Sequence, residues 1–390
     1  MNFVKQLPEA WQQKWQASGF NEPSAIQQES YEPLAQGQNV RGISPTGTGK
    51  TLAYLLPLLQ TTRSGEGSQL LILAPSQELA VQIGQVAQEW GQLVNLKTQT
   101  LIGGANVKRQ IEKLKKKPEV LIGTPGRIME LIRSKKLKSH QLKAIVMDEA
   151  DQLLQKTDLD LTRQILHSAP VDYQLAFYSA TAQLIEHEVK ELASEVLTID
   201  VSETDRSAGQ VQHFYLEVPF RKRKDYLQRM LHVPDFHGMT FFNQLSELGV
   251  FEEKLIYDGL PVMGLASDQN KQLRKLAVSQ FASGRVRMLL TTDVAARGLD
   301  FPDVGYIINV DVPMDAVSYT HRAGRTGRMG TQGRVITFVN ERTKRDFQRL
   351  MKSAGVSAKE IFLYGAAFHE KREVAEEQPR KKLNKKQGNK

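Results

Sequence analysis

The sequence contains no cysteine, which excludes disulfide bonds and metal sites with thiolate ligands. This absence is compatible with a reducing compartment, and we expect a cytoplasmic protein. No apolar run approaches the roughly 18 residues of a membrane-spanning helix. The N-terminal residues 1–5, MNFVK, also lack the charged and then apolar pattern of an export signal. We therefore expect neither membrane insertion nor export.

Acidic residues are too few to balance the bases, since 52 Lys and Arg stand against 43 Asp and Glu, for a formal net charge of +9. Such a balance favours a polyanionic partner. Residues 380–390 hold six bases and no acid, so much of the excess lies in a tail. We expect a basic, flexible, disordered tail at 366–390, because this stretch is too polar to pack. It could tether a polyanion or serve only solubility.

At 390 residues the chain is longer than one hydrophobic core usually supports, so two domains are expected. Apolar runs of strand length each end in a loop with small or polar residues, and helical patterns lie between them. This alternation predicts an α/β fold with mostly parallel sheets, which bind ligands at the carboxyl ends of their strands. In the first half the predicted strands are 39–43, 70–74, 120–123, 144–147, 175–178 and 196–201.

Residues 44–51, SPTGTGKT, lie between a predicted strand and an apolar helical run. Gly47 and Gly49 allow the backbone to curl so that several N–H groups converge, and the following helix N-terminus adds positive potential. Both features favour phosphate oxygens. Here Lys50 would reach the β- and γ-phosphates and the Thr51 hydroxyl would bind Mg²⁺. The alternative is a glycine turn that only joins a strand to a helix.

Two neighbouring acids, Asp148 and Glu149, follow the predicted strand 144–147. An acid held at the end of a buried strand near a phosphate-binding loop is placed to bind Mg²⁺. The next acid is placed to orient or deprotonate an attacking water. The alternative is that both acids only cap the following helix.

An amide upstream of the glycine loop, Gln27, carries both a donor and an acceptor and could pair with an adenine edge. Phe3, seventeen residues before Phe20, could stack on the base. Each of these residues could instead belong to the core or the surface. Their interpretation depends on the loop that follows them.

Residues 202–210 are polar and without an apolar period, which predicts a linker. Beyond it the strand and helix alternation restarts without a second Gly-Lys-Thr loop. Residues 321–328, HRAGRTGR, hold three arginines spaced by glycines, and buried guanidinium groups need anionic partners. We interpret Arg325 and Arg328 as arginine fingers that reach the γ-phosphate when the two units close. The alternative is a solvated basic helix end. The predicted strands are 211–218, 239–242, 262–265, 288–291, 304–310 and 334–339.

Over about residues 1–365 the chain resembles the DEAD-box RNA helicases of superfamily 2. Residues 148–151 read DEAD, and further motifs follow the family order at Gln27, Lys50, 179–181, 293–300 and 321–328. Residues 44–51 and 102–106 are similar to those of small bacterial members linked to ribosome assembly. The resemblance implies two tandem RecA-like domains, at 1–201 and 211–365, that bind ATP and Mg²⁺ and separate RNA strands locally.

The resemblance also implies roles for single residues. Adenine recognition would fall to Phe3, Phe20 and Gln27. Triphosphate binding would fall to Thr46, Gly47, Thr48, Gly49, Lys50 and Thr51. Metal and water positioning would fall to Thr51, Asp148 and Glu149, and ribose contact to Asp300. Coupling of the two domains would fall to Ser179, Thr181 and His321, and γ-phosphate contact to Arg325 and Arg328. RNA-backbone binding would fall to Pro75, Gly103, Gly104, Thr124, Pro125, Gly126, Arg127, Phe242, Thr292 and Arg297.

Several positions depart from the family pattern. Ser44 stands where the loop usually begins with glycine, and Gln77 replaces an arginine. Lys271 replaces a glutamine, and residues 266–267, Ala-Ser, replace His-Gly. The ATP-site residues themselves match the family. We therefore expect the later departures to bear on RNA affinity or domain coupling rather than on hydrolysis.

The expected function is an RNA-dependent ATPase that clamps, bends and locally unwinds short RNA duplexes, in ribosome assembly or RNA remodelling. We expect a monomer that binds RNA through its backbone, with pre-ribosomal particles as candidate partners; backbone contacts leave the RNA target unspecified. Two alternatives stay open. One is an ATP-gated RNA clamp or assembly factor that seldom unwinds. The other is a superfamily 2 DNA translocase, against which the glutamine motif with Phe3 argues.

Overall fold

The computed structural model describes residues 2–154, 156–180, 185–202, 210–266, 268–296, 301, 304–327 and 331–370. The chain divides into two compact units. The first comprises the described residues of Met1–Gln210, Ala296–Pro302 and Thr320–Gln332, and the second comprises those of Val211–Ala295, Asp303–Tyr319 and Gly333–Lys390. The described residues of two short segments from the second half of the sequence therefore belong to the first unit. Within the predicted linker, residues 203–209 lie outside the described residues.

The first unit contains a seven-stranded sheet in which every pair of neighbouring strands is parallel. The strand order is β3-β4-β2-β5-β6-β1-β7. The inner strands are mostly apolar on both faces, with buried Arg41 of β1 as an exception, because helices cover both faces, as parallel sheets require. The strands are β1 Val40–Ile43, β2 Leu70–Leu73, β3 Thr98–Leu101, β4 Val120–Gly123, β5 Ala144–Asp148, β6 Gln174–Ser179 and β7 Leu197–Asp200.

Strand β3 was not predicted. Its sequence, TQTL, has one large apolar residue, and its first and third residues are only half-buried. It lies at the edge of the sheet and pairs with β4 alone. An edge strand needs less apolar surface than an inner one, so composition gave no signal here.

Two hydrophobic cores lie on the two faces of this sheet. One joins α3 and α4 to β1, β2, β4 and β6, and the other joins α6 and α8 to β2, β4, β5 and β6. The helices are α1 Glu9–Ala17, α2 Ala25–Ala35, α3 Lys50–Thr61, α4 Gln77–Gly91, α5 Val107–Leu114, α6 Pro125–Arg133, α7 Ala150–Leu153, α8 Lys156–His167 and α9 Glu186–Leu192. Short 3₁₀ helices cover Phe3–Gln6, Gln92–Val94 and Ser139–Gln141.

The second unit contains another all-parallel sheet of seven strands, in the order β10-β11-β9-β12-β13-β8-β14. The strands are β8 Val211–Glu217, β9 Gly238–Phe241, β10 Val262–Leu265, β11 Met288–Thr291, β12 Tyr306–Asn309, β13 Gly333–Val339 and β14 Lys359–Glu360. The helices that follow residue 210 are α10 Arg223–Met230, α11 Leu245–Tyr257, α12 Lys271–Ala282, α13 Asp293–Ala296, α14 Ala316–Ala323 and α15 Lys344–Ala354, with a 3₁₀ helix at Phe220–Lys222. The predicted α/β class with two mostly parallel sheets is confirmed.

The chain after α15 corrects one prediction. The flexible tail was predicted to begin at residue 366, but β15 Phe362–Tyr364 and β16 Ala367–His369 form an antiparallel hairpin. Phe368 packs against Tyr306, with ring centroids 5.8 Å apart, so apolar contact extends the ordered fold past residue 366. The remainder of the predicted tail, 371–390, lies outside the described residues.

No helix within the described ranges is long and apolar enough to cross a membrane.

Candidate functional site

The glycine loop lies where the sequence predicted it, between β1 and α3. Gly47 and Gly49 adopt left-handed backbone angles, with φ of 85° and 83°, which residues with a side chain rarely adopt. The loop closes around Lys50, whose Nζ donates to the carbonyl oxygens of Ser44 at 2.7 Å and Pro45 at 2.8 Å. The lysine is therefore held at the mouth of the loop.

Ser44, which replaces the usual glycine, makes a buried hydrogen bond inside this loop. Its side chain is fully buried, and its Oγ lies 2.7 Å from Oγ1 of Thr48, which in turn donates to the Pro45 carbonyl. The Ser44 N–H donates to the carbonyl oxygen of Ser179 at 3.2 Å. The serine side chain thus adds a hydrogen bond inside the loop. The backbone N–H, which a glycine would also supply, connects the loop to the end of β6, where a coupling residue was predicted.

Gln27 touches the loop directly. Its Oε1 accepts from the Ser24 N–H at 3.0 Å, which completes a capping box at the start of α2, and its Nε2 donates to the Gly49 carbonyl at 3.2 Å. A Cβ on Gly49 would lie 2.3 Å from that Nε2, so only glycine permits the contact. The predicted adenine-reading amide is therefore fixed by backbone groups on both sides.

The two predicted aromatic residues have different positions. Phe20 is 38% exposed and packs edge-on against Trp15, with centroids 5.1 Å apart. Phe3 is 3% exposed and stacks on Tyr31 at 4.4 Å. The prediction that Phe3 stacks on a base does not agree with this arrangement, because the ring is buried in the hydrophobic core. The alternative, that Phe3 is a core residue, agrees with its position.

Asp148 ends β5 and is 4% exposed. Its Oδ2 accepts from the Tyr54 hydroxyl at 2.9 Å, and its Oδ1 accepts from the Glu149 N–H at 3.0 Å. Burial raises the pKa of Asp148 to about 6, with a further increase from the charge of Glu149, while nearby Lys50 lowers it. A carboxylate that is costly to ionise in this way favours a bound cation.

Tyr54 was not predicted as part of the site. It lies on α3 four residues after Lys50, so one helical turn carries both side chains along the same face. Its hydroxyl is fully buried and its ring lies 5.2 Å from that of Tyr178. The i, i+4 spacing from the loop lysine was the signal that could have identified it.

Glu149 has a left-handed backbone, with φ of 50°, at the start of α7. This conformation is strained for a residue with a side chain, and such strain is common at functional sites. Its Oε2 accepts from Nε2 of Gln152 at 2.8 Å, and its Oε1 lies 3.9 Å from Nη2 of Arg325. The predicted water-positioning acid and the predicted arginine finger are therefore neighbours.

The segment Thr320–Gln332 supplies further contacts within the first unit. Nε2 of His321 lies 3.1 Å from Oδ2 of buried Asp151, and its Nδ1 lies 2.6 Å from Nε2 of Gln152. Burial opposes charge on His321, but the hydrogen bond and charge of Asp151 outweigh it, so the pKa of His321 is raised. Thr46 Oγ1 donates to the Gly324 carbonyl at 3.1 Å, and a Cβ on Gly324 would lie 1.7 Å from that oxygen.

The predicted RNA-binding residues of the first unit follow β2, β3 and β4, at the same edge of the sheet as the glycine loop. Gly104 and Gly126 are exposed, and the side chain of Gln77 lies beside Gly103, 3.2 Å from where a Cβ would stand. Arg127 is 8% exposed and its Nε donates to Glu130 at 2.8 Å. Pro75, Gly103 and Thr124 are half-buried and Pro125 is buried.

The predicted RNA-binding residues of the second unit are less accessible. Phe242 is fully buried and packs on Phe251, with centroids 5.2 Å apart, so its side chain lies in the core. Thr292 is 9% exposed at the end of β11. Four predicted site residues lie outside the described residues: Thr181, Arg297, Asp300 and Arg328.

Two family models match the chain. The DEAD/DEAH box helicase model matches residues 24–189, and the helicase conserved C-terminal domain model matches residues 222–330. The probable ATP-dependent RNA helicase YfmL of Bacillus subtilis is 40% identical over 362 residues, which are 92% of this chain and 96% of the relative. The DEAD-box ATP-dependent RNA helicase CshC of Bacillus cereus is 37% identical over 381 residues, 97% of each chain.

A solved structure is also similar to this chain. Dbp5 of S. cerevisiae, bound to RNA and ADP BeF3, superposes with a TM-score of 0.83 at 28% sequence identity. The match covers 92% of this chain and 95% of that one. Both sheets and their flanking helices therefore follow an arrangement of tandem RecA-like domains.

Proposed function

Because this chain belongs to the DEAD-box family of ATP-dependent RNA helicases, we propose that it uses ATP binding and hydrolysis to clamp, bend and locally unwind short RNA duplexes. One observation carries the proposal. The glycine loop, the acids Asp148 and Glu149, and Arg325 converge at the carboxyl edge of the first sheet. Exposed glycines suited to a close-lying RNA backbone follow other strands at the same edge.

ATP with Mg²⁺ fits these residues. The curled backbone of the loop and Lys50 would hold phosphate oxygens, and Asp148 with the Thr51 hydroxyl would hold the ion. Asp148 is buried, and its two oxygens accept from a tyrosine hydroxyl and a backbone N–H, neither of which carries a positive charge. When bound, the metal neutralises charge that develops on the phosphate oxygens.

Glu149 is the residue that acts on water in this proposal. Gln152 holds one of its oxygens, which leaves the other to orient or deprotonate a water aimed at the γ-phosphate. Arg325 lies 3.9 Å from Glu149, so its guanidinium would reach the same phosphate and stabilise the charge that forms on it. Arg328 is proposed to act with it.

The segment that carries His321 and Arg325 would couple the two ligands. Its contacts with Asp151, Gln152 and Thr46 tie it to the loop and to the acids, so ATP binding biases its position. ATP and RNA would then raise the affinity for each other by the same factor. An RNA strand kept in a bent, single-stranded shape cannot stay paired with its complement.

The setting of this activity is also part of the proposal. We propose a cytoplasmic monomer that binds RNA through phosphates and sugars without reading its sequence. A role in ribosome assembly is supported by the resemblance of residues 44–51 and 102–106 to those of small bacterial family members. Family membership favours RNA over DNA as the substrate.

Strand displacement tests the proposal. The parent protein is mixed with a short RNA duplex and ATP, GTP or a slowly hydrolysed ATP analogue, and strand release and phosphate release are followed together. We expect RNA-stimulated ATP turnover, strand release with ATP, and a preference for ATP over GTP of about ten- to a hundredfold. RNA binding without strand release would favour the alternative of an ATP-gated clamp.

Glu149→Gln sharpens this experiment, because it keeps the shape of the side chain and removes its basicity. We expect turnover to fall about 10²- to 10⁴-fold while ATP binding persists and the RNA complex becomes long-lived. Arg325→Ala is the companion variant and should also reduce the coupling between ATP and RNA binding. Turnover at the parent rate in Glu149→Gln would refute the role given to this acid.

A further inference from the structure

Many basic residues lie at the amino edge of the first sheet, where the strands begin, opposite the carboxyl edge that carries the site. Residues 133–143, RSKKLKSHQLK, contain five bases and no acid, and residues 113–117, KLKKK, contain four bases and no acid. We call six of these residues the basic edge: Lys113, Lys116, Lys117, Lys135, Lys136 and Lys138.

The fold places the two stretches at the same edge and on the same face of the sheet. Helices α5 and α6 both pack on the second core, α6 through buried Ile128 and Leu131 and α5 through half-buried Ile111 and Leu114. Each helix follows a strand and precedes another strand parallel to it, so both run back from the carboxyl edge and end at the amino edge. Both helices pack on the core that covers one face of the sheet, so their C-terminal turns lie on the same side of the first unit, at its amino edge.

The charges on this surface are not neutralised by neighbouring acids. All six side chains of the basic edge are exposed, and none makes an ion pair in the part of the chain that the structure describes. The nearby acids are already engaged. Glu112 pairs with Lys115, Glu66 pairs with Lys143, and Glu119 is fully buried and accepts from two backbone N–H groups.

Helix stability does not account for these lysines. Cations stabilise a helix C-terminus through the helix dipole mainly within its last turn, but of the six lysines only Lys113 lies within a helix. In addition, Lys117 and Lys135 have left-handed backbones, with φ of 50° and 56°, at turns where glycine would fit without strain. Two lysines are thus kept where they cost about 1 kcal/mol or more each.

We propose that the basic edge is a second RNA-binding surface, which holds the phosphates of RNA that extends beyond the segment bound at the carboxyl edge. This inference rests on the proposed function, since it takes RNA to be the substrate. Six exposed ammonium groups that make no ion pair among the described residues suit a phosphate backbone contacted without sequence reading. The surface would keep the protein on a large RNA after the clamp at the carboxyl edge has opened.

The test uses a variant whose fold should not suffer. Lys117→Gly and Lys135→Gly remove two charges and relieve backbone strain, and Lys116→Gln and Lys136→Gln remove two more at exposed positions. The matched control removes four exposed bases outside the basic edge: Lys5→Gln, Lys254→Gln, Lys275→Gln and Arg285→Gln. Both variants keep the full chain, including the basic residues of 380–390.

Two RNAs separate the two surfaces. One is a single strand of about ten nucleotides, which fills only the carboxyl edge, and the other joins the same strand to a hairpin of about twenty base pairs. We expect the basic-edge variant to bind the short RNA like the parent and the long RNA roughly tenfold more weakly at low salt. The salt slope for the long RNA should fall by up to about 3, since four contacts are removed.

Three outcomes would overturn the inference. In the first, the basic-edge variant binds the long RNA no more weakly than the control variant does. In the second, it loses affinity for the short RNA as much as for the long RNA. In the third, it loses binding to phosphatidylserine vesicles but to neither RNA. The proposed function is judged separately by the short RNA and by ATP turnover. A parent that binds the long RNA through the basic edge, but hydrolyses no ATP with either RNA, would overturn the proposed function alone.

Discussion

The two seven-stranded sheets have the same strand order, with β1 to β7 of the first matching β8 to β14 of the second. In the first sheet the strand β1 leads into a glycine loop and then Lys50 at the start of α3. In the second, β8 leads into Pro219 and a 3₁₀ helix, and α10 begins at Arg223. One topology thus carries the proposed phosphate-binding loop after the first strand of one unit, and a connection without glycine, residues 218–222, after the matching strand of the other.

The acids near the ends of the matching strands β5 and β12 differ in the same way. Asp311 lies 2.8 Å from Nη1 of Arg223, which also lies 3.2 Å from Glu247 and under the ring of Phe220. The second unit therefore neutralises its acid internally. Asp148 instead accepts from Tyr54 and a backbone N–H, which leaves its charge to attract a cation. Loops and partners, not the sheet, set the chemistry.

Arg223→Ala should give the largest effect on stability, because it leaves two half-buried acids facing each other. Breaking a buried ion pair of this kind costs about 3–5 kcal/mol of the free energy of unfolding. All three tryptophans lie in the first unit, at 11, 15 and 90. In urea, the circular dichroism transition should therefore split, with an early phase that tryptophan fluorescence does not report. Arg342→Ala, at an exposed position, is the control. A single unshifted transition would mean that the ion pair contributes little.

Lys50→Ala should give the opposite result, a loss of ATP turnover without a loss of folding stability. We expect ATP turnover to fall about 10²- to 10³-fold, since a charge aimed at the phosphates is lost. Binding of a fluorescent ATP analogue should weaken as well, while the free energy of unfolding measured by tryptophan fluorescence stays within about 1 kcal/mol of the parent. Unchanged turnover would break the comparison, because Lys50 would then be no more catalytic than Arg223.

Asp148→Asn should stabilise the first unit while it abolishes hydrolysis. The folded pKa of Asp148, about 6, exceeds the ordinary 3.8, so the folded state favours the protonated acid. That contribution is fully present below pH 3.8 and is lost as pH rises through 6, a loss of about 3 kcal/mol. Without nucleotide and Mg²⁺, Asn should therefore raise the free energy of unfolding at pH 7.5 and change little at pH 4. Asp311→Asn is the contrast and should destabilise.

Several parts of this site were accessible from sequence because they depend on local rules. A glycine loop between a strand and a helix, and two acids after an apolar run, require only spacing and residue type. The bonds from Tyr54 to Asp148 and from Gln27 to Gly49 join residues 94 and 22 positions apart. Such pairs depend on which helix packs on which strand. The burial of Phe3 on Tyr31 was out of reach for the same reason.

Tyr54→Phe is the finest test, because it removes the single hydroxyl that donates to Asp148. In the second unit the matching acid, Asp311, is neutralised by Arg223 instead. The hydrogen bond favours the ionised form of Asp148, so its loss raises the pKa of that acid further. We expect the acid limb of the turnover profile to move to higher pH. The Mg²⁺ concentration for half-maximal turnover should rise by a factor that corresponds to about 1 kcal/mol.

The control for Tyr54→Phe is Tyr178→Phe, whose ring packs on Tyr54 in the same cluster but whose hydroxyl makes no bond to Asp148. A packing effect would appear in both variants as a similar loss of stability, with an unmoved pH profile. A role in orienting Asp148 would move the pH limb and the Mg²⁺ requirement in Tyr54→Phe alone. If the pH limb and the Mg²⁺ requirement shift equally in the two variants, Tyr54 is only a core residue. The ionised form of Asp148 then does not depend on the hydrogen bond from Tyr54.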